Sequence, residues 1–498
     1  MRPSLKRRVR GRGKGIRGVL LALILTLLGT SLVQFGRISS RESATLEGGE
    51  EPVTEPGPET RNYPGYAHVV PAEASEEKKE KERDFSSGGF GDDEATLSGN
   101  RKASSDLLCS LTSIDRLNWS ASRSSEVIDG VKDKEGAKGE HQQPERAEEG
   151  VVSAVLVIAY SRPSYLKRTL TALKKRLRAR SVSSKFPVYV SQDRKTDPLN
   201  RRGNQVGDVI RSFDSFLAGH LNHEEDSENR DVDLAAANIR LEMINYYHLS
   251  SHYKWALSQI FDCLGYQKVI VIEDDMEVSV DFFSLMEAGA RLLDQDPTIY
   301  SISSWNDLGY QEYVEDPRAM YRTDFFPGLG WMMSKVLWNE LSVKWPKAFW
   351  DDWMRDDQQR RGRSTIYPEI SRNINFGERG TSRGEEYSKY VSRVVGNDVY
   401  VNFVEMNSSG LLYHEYRSKL YNKVKATIPI VSFEDFVFEA MASDSRIEYS
   451  TEEELADMLK YLDLPPPRVV PRNSFEGIVQ LRNGRFMLYL VPAWKDFY

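Results

Sequence analysis

Three consecutive acids, Glu273-Asp274-Asp275, close a β-branched run, Val269-Ile270-Val271-Ile272. Such a run suits a strand buried on both faces of a parallel sheet. The carboxylates cannot follow it into the core, because an unpaired buried charge is too costly. They must sit where the strand leaves the sheet, and in open α/β sheets that carboxyl edge is where ligands bind. Clustered carboxylates repel one another unless a cation lies between them. A divalent metal held by oxygens is the economical reading, with a diphosphate as the second partner. The competing reading is an acidic turn, its carboxylates solvated or capping the next helix.

A second constellation, KWPKAFWDDWMR at 344–355, sets Asp351 and Asp352 among tryptophans. An indole offers a flat apolar wall to a sugar ring and an N–H to donate. A carboxylate beside it could act as general base toward a sugar hydroxyl. A helix start capped by one of the two acids is the alternative. Arg162 and Asp193 each end an early strand-like run and so fall on the same sheet edge as the acids. An Arg there can pair with phosphate, and an Asp can accept from a uracil or ribose. His252, on the helix before the acidic strand, reads by itself as a packing histidine.

The elements that must position these residues begin at Val151. VVSAVLVIAY reads as a strand, the stretch from Ser164 to Ala179 as a helix, and FPVYVSQD as a strand. This opens a right-handed βαβ unit. A polar stretch, roughly 197–233, reads as an insertion. NYYHLSSHYKWALSQIFDCLGY reads as a helix feeding the acidic strand, and DFFSLMEAGARLLDQD as an amphipathic helix followed by a short strand, YSISSW. Gly377, Gly380 and Gly384 around Thr381-Ser382-Arg383 suggest a mobile loop. The remainder reads as a smaller α+β region with an Asn-Gly hairpin between 468 and 492.

The chain has 498 residues, enough for two domains, and a net charge of −7, which does not suggest nucleic-acid binding. Residues 1–17 form a basic tail without an acid, and residues 18–36 carry no charge. As a helix that segment spans ~28 Å at ~1.5 Å per residue, close to a hydrocarbon core. It reads as a transmembrane signal anchor, with a cleaved signal peptide as the competing reading. Residues 37–150 have too little apolar content to fold and read as a disordered stem, with an apolar patch at Leu107–Trp119. Two cysteines, Cys109 and Cys263, exclude a disulfide framework.

HYKWALSQIF, VIEDDMEVSVDFF, SSWND, YRTDFFPGLGW, KWPKAFWDDWMR, GRSTIYPEISR and NFGERGTSRG, taken in order, carry a resemblance. From 151 to about 385, and more faintly at the C-terminus, the chain resembles the Golgi β-1,2-N-acetylglucosaminyltransferase I family, which acts on the α-1,3-mannose arm of N-glycans. The resemblance implies an α/β GT-A type catalytic domain at 151–390 with a mixed, mostly parallel sheet, and a smaller domain at 391–498. It implies UDP-GlcNAc as donor, an oligomannose N-glycan acceptor and Mn²⁺ as cofactor. It also implies a single-pass type II protein of the Golgi membrane with a luminal catalytic domain. By the family pattern Asp275 takes the metal, in a motif shared with Glu273 and Asp274. Arg162, Asp193 and His252 fall on nucleotide-sugar-binding positions, Asp351 on the catalytic base with Trp350 beside it, and Ser382 in a loop that orders over UDP. The chain departs from the family at Tyr160 and Arg194, and at Ser301 and Thr365, where the family has cysteines. Both partners of each pair are replaced, so two bridges are gone. A related enzyme acting on O-linked mannose, and a catalytically silent luminal lectin or scaffold, are the alternatives; intact Asp275 and Asp351 speak against the latter.

Overall fold

The computed structural model describes residues 114–115, 150–194, 200–224, 243–378, 385–430 and 443–495. Its strands in chain order begin with β1 (Ile114–Asp115), β2 (Ala154–Ala159), β3 (Val188–Asp193), β4 (Gly219–His223), β5 (Lys268–Glu273) and β6 (Met276–Val278). They continue with β7 (Ile299–Ser303), β8 (Met320–Thr323), β9 (Trp331–Ser334), β10 (Ser364–Pro368) and β11 (Asn373–Asn375). Nine form one sheet in the order β1-β4-β3-β2-β5-β9-β7-β10-β8, while β6 and β11 pair separately. From β4 through β5 every pairing is parallel. Beyond β5 the sheet turns largely antiparallel. The expected predominance of parallel pairing therefore holds for one half only, and the sheet is a mixed one.

Alternation along each central strand divides the core between the two faces. Val155, Val157, Ile270 and Ile272 enter one cluster, and Leu156, Ile158, Val269 and Val271 the other. The first face is covered by helix α1 (Pro163–Ala179), whose Leu166, Leu170, Leu173 and Leu177 are buried at one stripe. Its opening Pro163 suits a helix start, where the missing N–H is not needed. Helix α2 (Gly203–Arg211) precedes β4, and α3 (Ile244–Ser258) runs into a π turn, Gln259–Cys263, before β5. Helix α4 (Phe282–Gln295) leads to β7; α5 (Lys335–Leu341) and α6 (Trp350–Arg355) lie between β9 and β10.

Several sequence expectations change. The stretch read as an insertion contains α2 and the sheet strand β4. Part of the segment read as a stem joins the sheet, since Ile114 and Asp115 pair antiparallel with Leu221 and His220. Cys263 is disulfide-bonded, and its partner lies outside the described residues. The anchor assigned to residues 18–36 also lies outside them, and among the described residues no helix is long and apolar enough to cross a membrane. The Golgi-membrane localisation built on that anchor is withdrawn accordingly.

The C-terminal region adds α7 (Tyr413–Ala426), α8 (Glu452–Tyr461) and a second sheet. That sheet contains β12 (Ile428–Ile430), β13 (Ser445–Tyr449), β14 (Ser474–Phe475), β15 (Ile478–Asn483) and β16 (Phe486–Pro492), in the order β12-β13-β16-β15-β14. The anticipated hairpin turns at Gly484, whose φ of +58° is a left-handed conformation that glycine adopts freely. Phe475, Tyr416 and Tyr489 join the core cluster that holds Ile302 and Ile366, so this region shares the apolar interior of the large sheet.

At the positions without cysteines the structure holds noncovalent pairs. Ser301 and Thr365 are register partners on β7 and β10, and their buried hydroxyls meet at 2.8 Å. The Arg194 guanidinium carbon lies 5.3 Å from the centre of the Tyr160 ring, within cation–π range.

Candidate active site

β5 ends at Glu273, and Asp274 and Asp275 make the turn into β6. β2 ends alongside, so Arg162, just ahead of α1, reaches across. Its guanidinium donates to Asp275 Oδ2 at 2.8 Å and to Asp274 Oδ1. Thr169 of α1 donates to the Asp274 carbonyl at 2.8 Å. Asn375 of β11 donates to Asp275 Oδ1 at 3.2 Å. Gly377 passes so close that a Cβ there would stand 2.0 Å from Asp275 Oδ2.

One guanidinium faces three acids here. Burial, reinforced by the Asp275 charge, pushes Glu273 up to about 7. Burial likewise pushes Asp274 up to about 7, although Arg162 opposes it. A hard divalent cation, which prefers carboxylate oxygens, fits this donor set because it would relieve the surplus negative charge that Arg162 leaves.

Tyr253 of α3 joins this cluster to the second one. Its hydroxyl donates to Glu273 Oε1 at 2.7 Å, and its ring stacks on Trp350 with centroids 4.2 Å apart. Burial raises its hydroxyl well above the usual tyrosine range, and the charges of Glu273, Asp275 and Asp351 add to that. Trp350 in turn stacks on Trp331 and Trp345 and is 4% exposed. It is a core element that seats α6, not an open wall.

α6 begins after Phe349, a non-glycine residue held at φ +52°. Neither acid caps the helix; both lie in its first turn. The buried Arg355 donates from one nitrogen to Asp351 Oδ2 at 2.8 Å and to Asp352 Oδ1 at 2.7 Å, and from Nε to the Phe326 carbonyl at 3.1 Å. Arg468 lies a further 3.4 Å from Asp352. Asp351 is 40% exposed at its side chain, so it is oriented by Arg355 yet open to a substrate.

Along the same edge, Asp193 ends β3 and His223 ends β4. The His223 ring donates from Nδ1 to Asp193 Oδ1 at 2.7 Å and lies parallel to His252, 5.3 Å away. His252 Nε2 meets Ser191 Oγ at 2.7 Å. Burial would raise Asp193, but the nearby histidines, the His223 hydrogen bond and Arg194 outweigh it and hold the carboxyl low. Ligating atoms of Asp193, His223 and His252 lie within 4.8 Å of one another, close enough to share an ion.

Arg162, Asp274 and Asp275 thus meet directly with Glu273 beside them at the end of β5, Asp193 and His252 are brought together around His223 farther along the edge, and Asp351 joins through Trp350 and Tyr253. Ser382 lies outside the described residues. Sequence reasoning missed Tyr253, His223 and Arg355, and it read Gly377 as part of a mobile loop where the structure packs it against Asp275 with its N–H on Asn375. Tyr253 stood next to His252 in a stretch already singled out; His223 sat in the supposed insertion and gave no signal.

An acidic strand end suited to a metal, a row of polar strand ends beside it, and a separate oriented carboxylate suit a group-transfer enzyme, and its likeness to known proteins makes it a glycosyltransferase. The chain belongs to the GNT-I family, whose profile matches residues 94–496; it works with a nucleotide-sugar donor and a glycan acceptor. It is 37% identical over 335 residues to the alpha-1,3-mannosyl-glycoprotein 2-beta-N-acetylglucosaminyltransferase of Arabidopsis thaliana, covering 66% of this chain and 71% of that protein. Among solved structures, a mannosyltransferase from Pyrobaculum calidifontis in complex with GDP-Man and Mn²⁺ overlaps 46% of this chain and 58% of its own, at 15% identity and a TM-score of 0.27. Core-mannan synthase A from Aspergillus fumigatus overlaps 47% and 73%, at 12% identity and a TM-score of 0.21. Overlaps of this size bear on neither substrate nor mechanism.

Proposed function

We propose that this enzyme transfers N-acetylglucosamine from UDP-GlcNAc to the 2-hydroxyl of an α-1,3-linked mannose on N-glycans, with inversion and with Mn²⁺ as cofactor. The observation that carries this reading is the Tyr253–Trp350 stack, which couples the acidic strand end to the helix bearing Asp351. Asp275 would hold the cation, with Glu273 and Asp274 shaping the charge around it. Bound there, a divalent ion supplies Lewis-acid charge to the donor diphosphate. Arg162, Asp193 and His252 would bind the nucleotide. Asp351 would take the proton from the mannose hydroxyl as that oxygen attacks the anomeric carbon and UDP leaves. A β-linkage from an α-linked donor needs one displacement and one base, without a covalent intermediate. Asp352 shares Arg355 with Asp351 and carries a second ion pair to Arg468, so Asp351 is the less encumbered of the two.

The test supplies the full chain with UDP-GlcNAc and Mn²⁺, and with either an oligomannose N-glycan or an O-mannosyl peptide. Transfer to the N-glycan is expected, and transfer to the peptide alone would move the acceptor assignment. Asp351→Asn should lower kcat at least ~10²-fold with donor affinity nearly unchanged, and Asp352→Asn should act mainly on KM or stability. An active Asp351→Asn beside a dead Asp352→Asn would exchange their roles.

A further inference from the structure

We infer that His223 is a specificity-determining positioning residue, whose Nδ1–H holds Asp193 as a fixed acceptor that selects uracil over cytosine in the donor. The inference rests on the proposed reading of the strand ends as a UDP site.

The row of strand ends suits a nucleotide in length. β3 and β5 flank β2 in the sheet, so Asp193 stands two strand spacings, ~10 Å, from the acidic turn. A nucleoside covers such a span between its base and its phosphates. With the diphosphate at the acids, the base falls at Asp193. Uracil presents an imide N–H at ring position 3, where cytosine presents a bare nitrogen. An ionised carboxylate can only accept, so it pairs with the first and repels the second.

Such discrimination requires the carboxylate to stay ionised and to keep its orientation. His223 serves the second directly, and with His252 and Arg194 it contributes to the first. Since Asp193 can only accept, the 2.7 Å contact fixes the histidine proton on Nδ1. That bond ties Oδ1 to the protein, and Arg194 Nε lies 3.4 Å from Oδ2. The His223 ring cannot easily turn away. It is stacked on His252 and lies 4.8 Å from the Trp255 ring, two residues three apart on α3 that share a face. His252 is itself held by Ser191.

Two variants separate the hydrogen bond from the stack. His223→Phe keeps a ring against His252 and Trp255 but has no donor. His223→Asn places an amide N–H near the position of Nδ1 but loses the ring. UDP and CDP affinities are measured by calorimetry on the full chain in Mn²⁺. His223→Phe is expected to lower UDP affinity roughly tenfold or more and CDP affinity much less, so that the preference narrows. His223→Asn should keep most of the preference even if the protein melts earlier. A His223→Phe variant with an unchanged UDP/CDP ratio overturns the proposal. Asp193→Asn tells the two levels apart. If it too leaves the ratio unchanged, the base lies elsewhere and the donor reading of this pocket fails; if it alone changes the ratio, only the role of His223 fails. Metal analysis closes the remaining route: an ion lost in His223→Phe but retained in Asp275→Ala would make the cluster a metal site and overturn the assignment.

Discussion

At the scale of single residues, the site depends on groups that do no chemistry themselves. Gly377 is one, because its missing side chain leaves room for the Asp275 carboxylate. Gly377→Ala is expected to lower UDP affinity in Mn²⁺ at least ~10-fold, by displacing Asp275 Oδ2, with little effect on the melting temperature. Unchanged affinity in a calorimetric titration would mean the carboxylate need not hold that position. His252 carries a different expectation. Burial pulls it down to about 4 in the folded protein, whereas an unfolded histidine titrates near ~6.5. Between these pH values the unfolded chain binds a proton that the folded chain refuses. Folding should therefore weaken as pH falls from 6.5 toward 4, by up to ~1.4 kcal/mol per pH unit from this group. Urea unfolding at pH 7 and pH 5 should show a smaller loss for His252→Gln than for the native chain; equal losses would place the titration elsewhere. Asp275 and Asp351 stood out as charges at the end of an apolar run and among tryptophans, but each also had a bland reading, an acidic turn or a helix cap, and the ordered family motifs around them were what singled them out. His223 and Arg355 did not stand out, since their value comes from partners 30 residues away in β3 and within one turn of α6.

At the scale of elements, α6 shows how a short helix is aimed. It is six residues long, too short to hold itself by its own hydrogen bonds. Trp350 anchors it in the aromatic core, and the left-handed Phe349 before it sets its direction. Sequence reading found this helix start and both its acids but took Trp350 for an exposed wall. Nothing in a run of tryptophans says which are covered by a second helix. The main strands and helices were legible because their periodicity is strong. β4 was not: its segment, GHLNH, has only one aliphatic side chain and is a strand because β3 and β1 pair with it. The Ser301–Thr365 contact gives an expectation at this scale. The hydroxyls meet at 2.8 Å on paired strands, so the S301C/T365C double variant should oxidise to a disulfide and gain stability of order 2–4 kcal/mol. Thiol titration and melting with and without reductant would check it, and two free thiols in the folded, oxidant-treated protein would count against the geometry.

At the scale of the whole molecule, the C-terminal sheet closes over the core of the large one, and its connecting segment brings Arg468 to Asp352. The corner that holds Asp351 and Asp352 thus draws on residues more than a hundred positions apart. The large sheet also has two ends, and one of them is finished by the pairing of Ile114–Asp115 with β4. Without that pairing, β4 would present backbone donors and acceptors with no partner, a ready template for another copy of the chain. The expectation is that this two-residue cover, too short to template a further strand itself, keeps β4 from pairing with another copy. With Cys263, and Cys109 where the chain retains it, changed to Ser, so that no thiol is left without its disulfide partner, a chain shortened to begin at residue 150 should fold around the same core yet self-associate as its concentration rises, while one beginning at 94 should remain monodisperse. Sedimentation of the two across a concentration series would show it, and identical profiles would mean that β4 is shielded by something else.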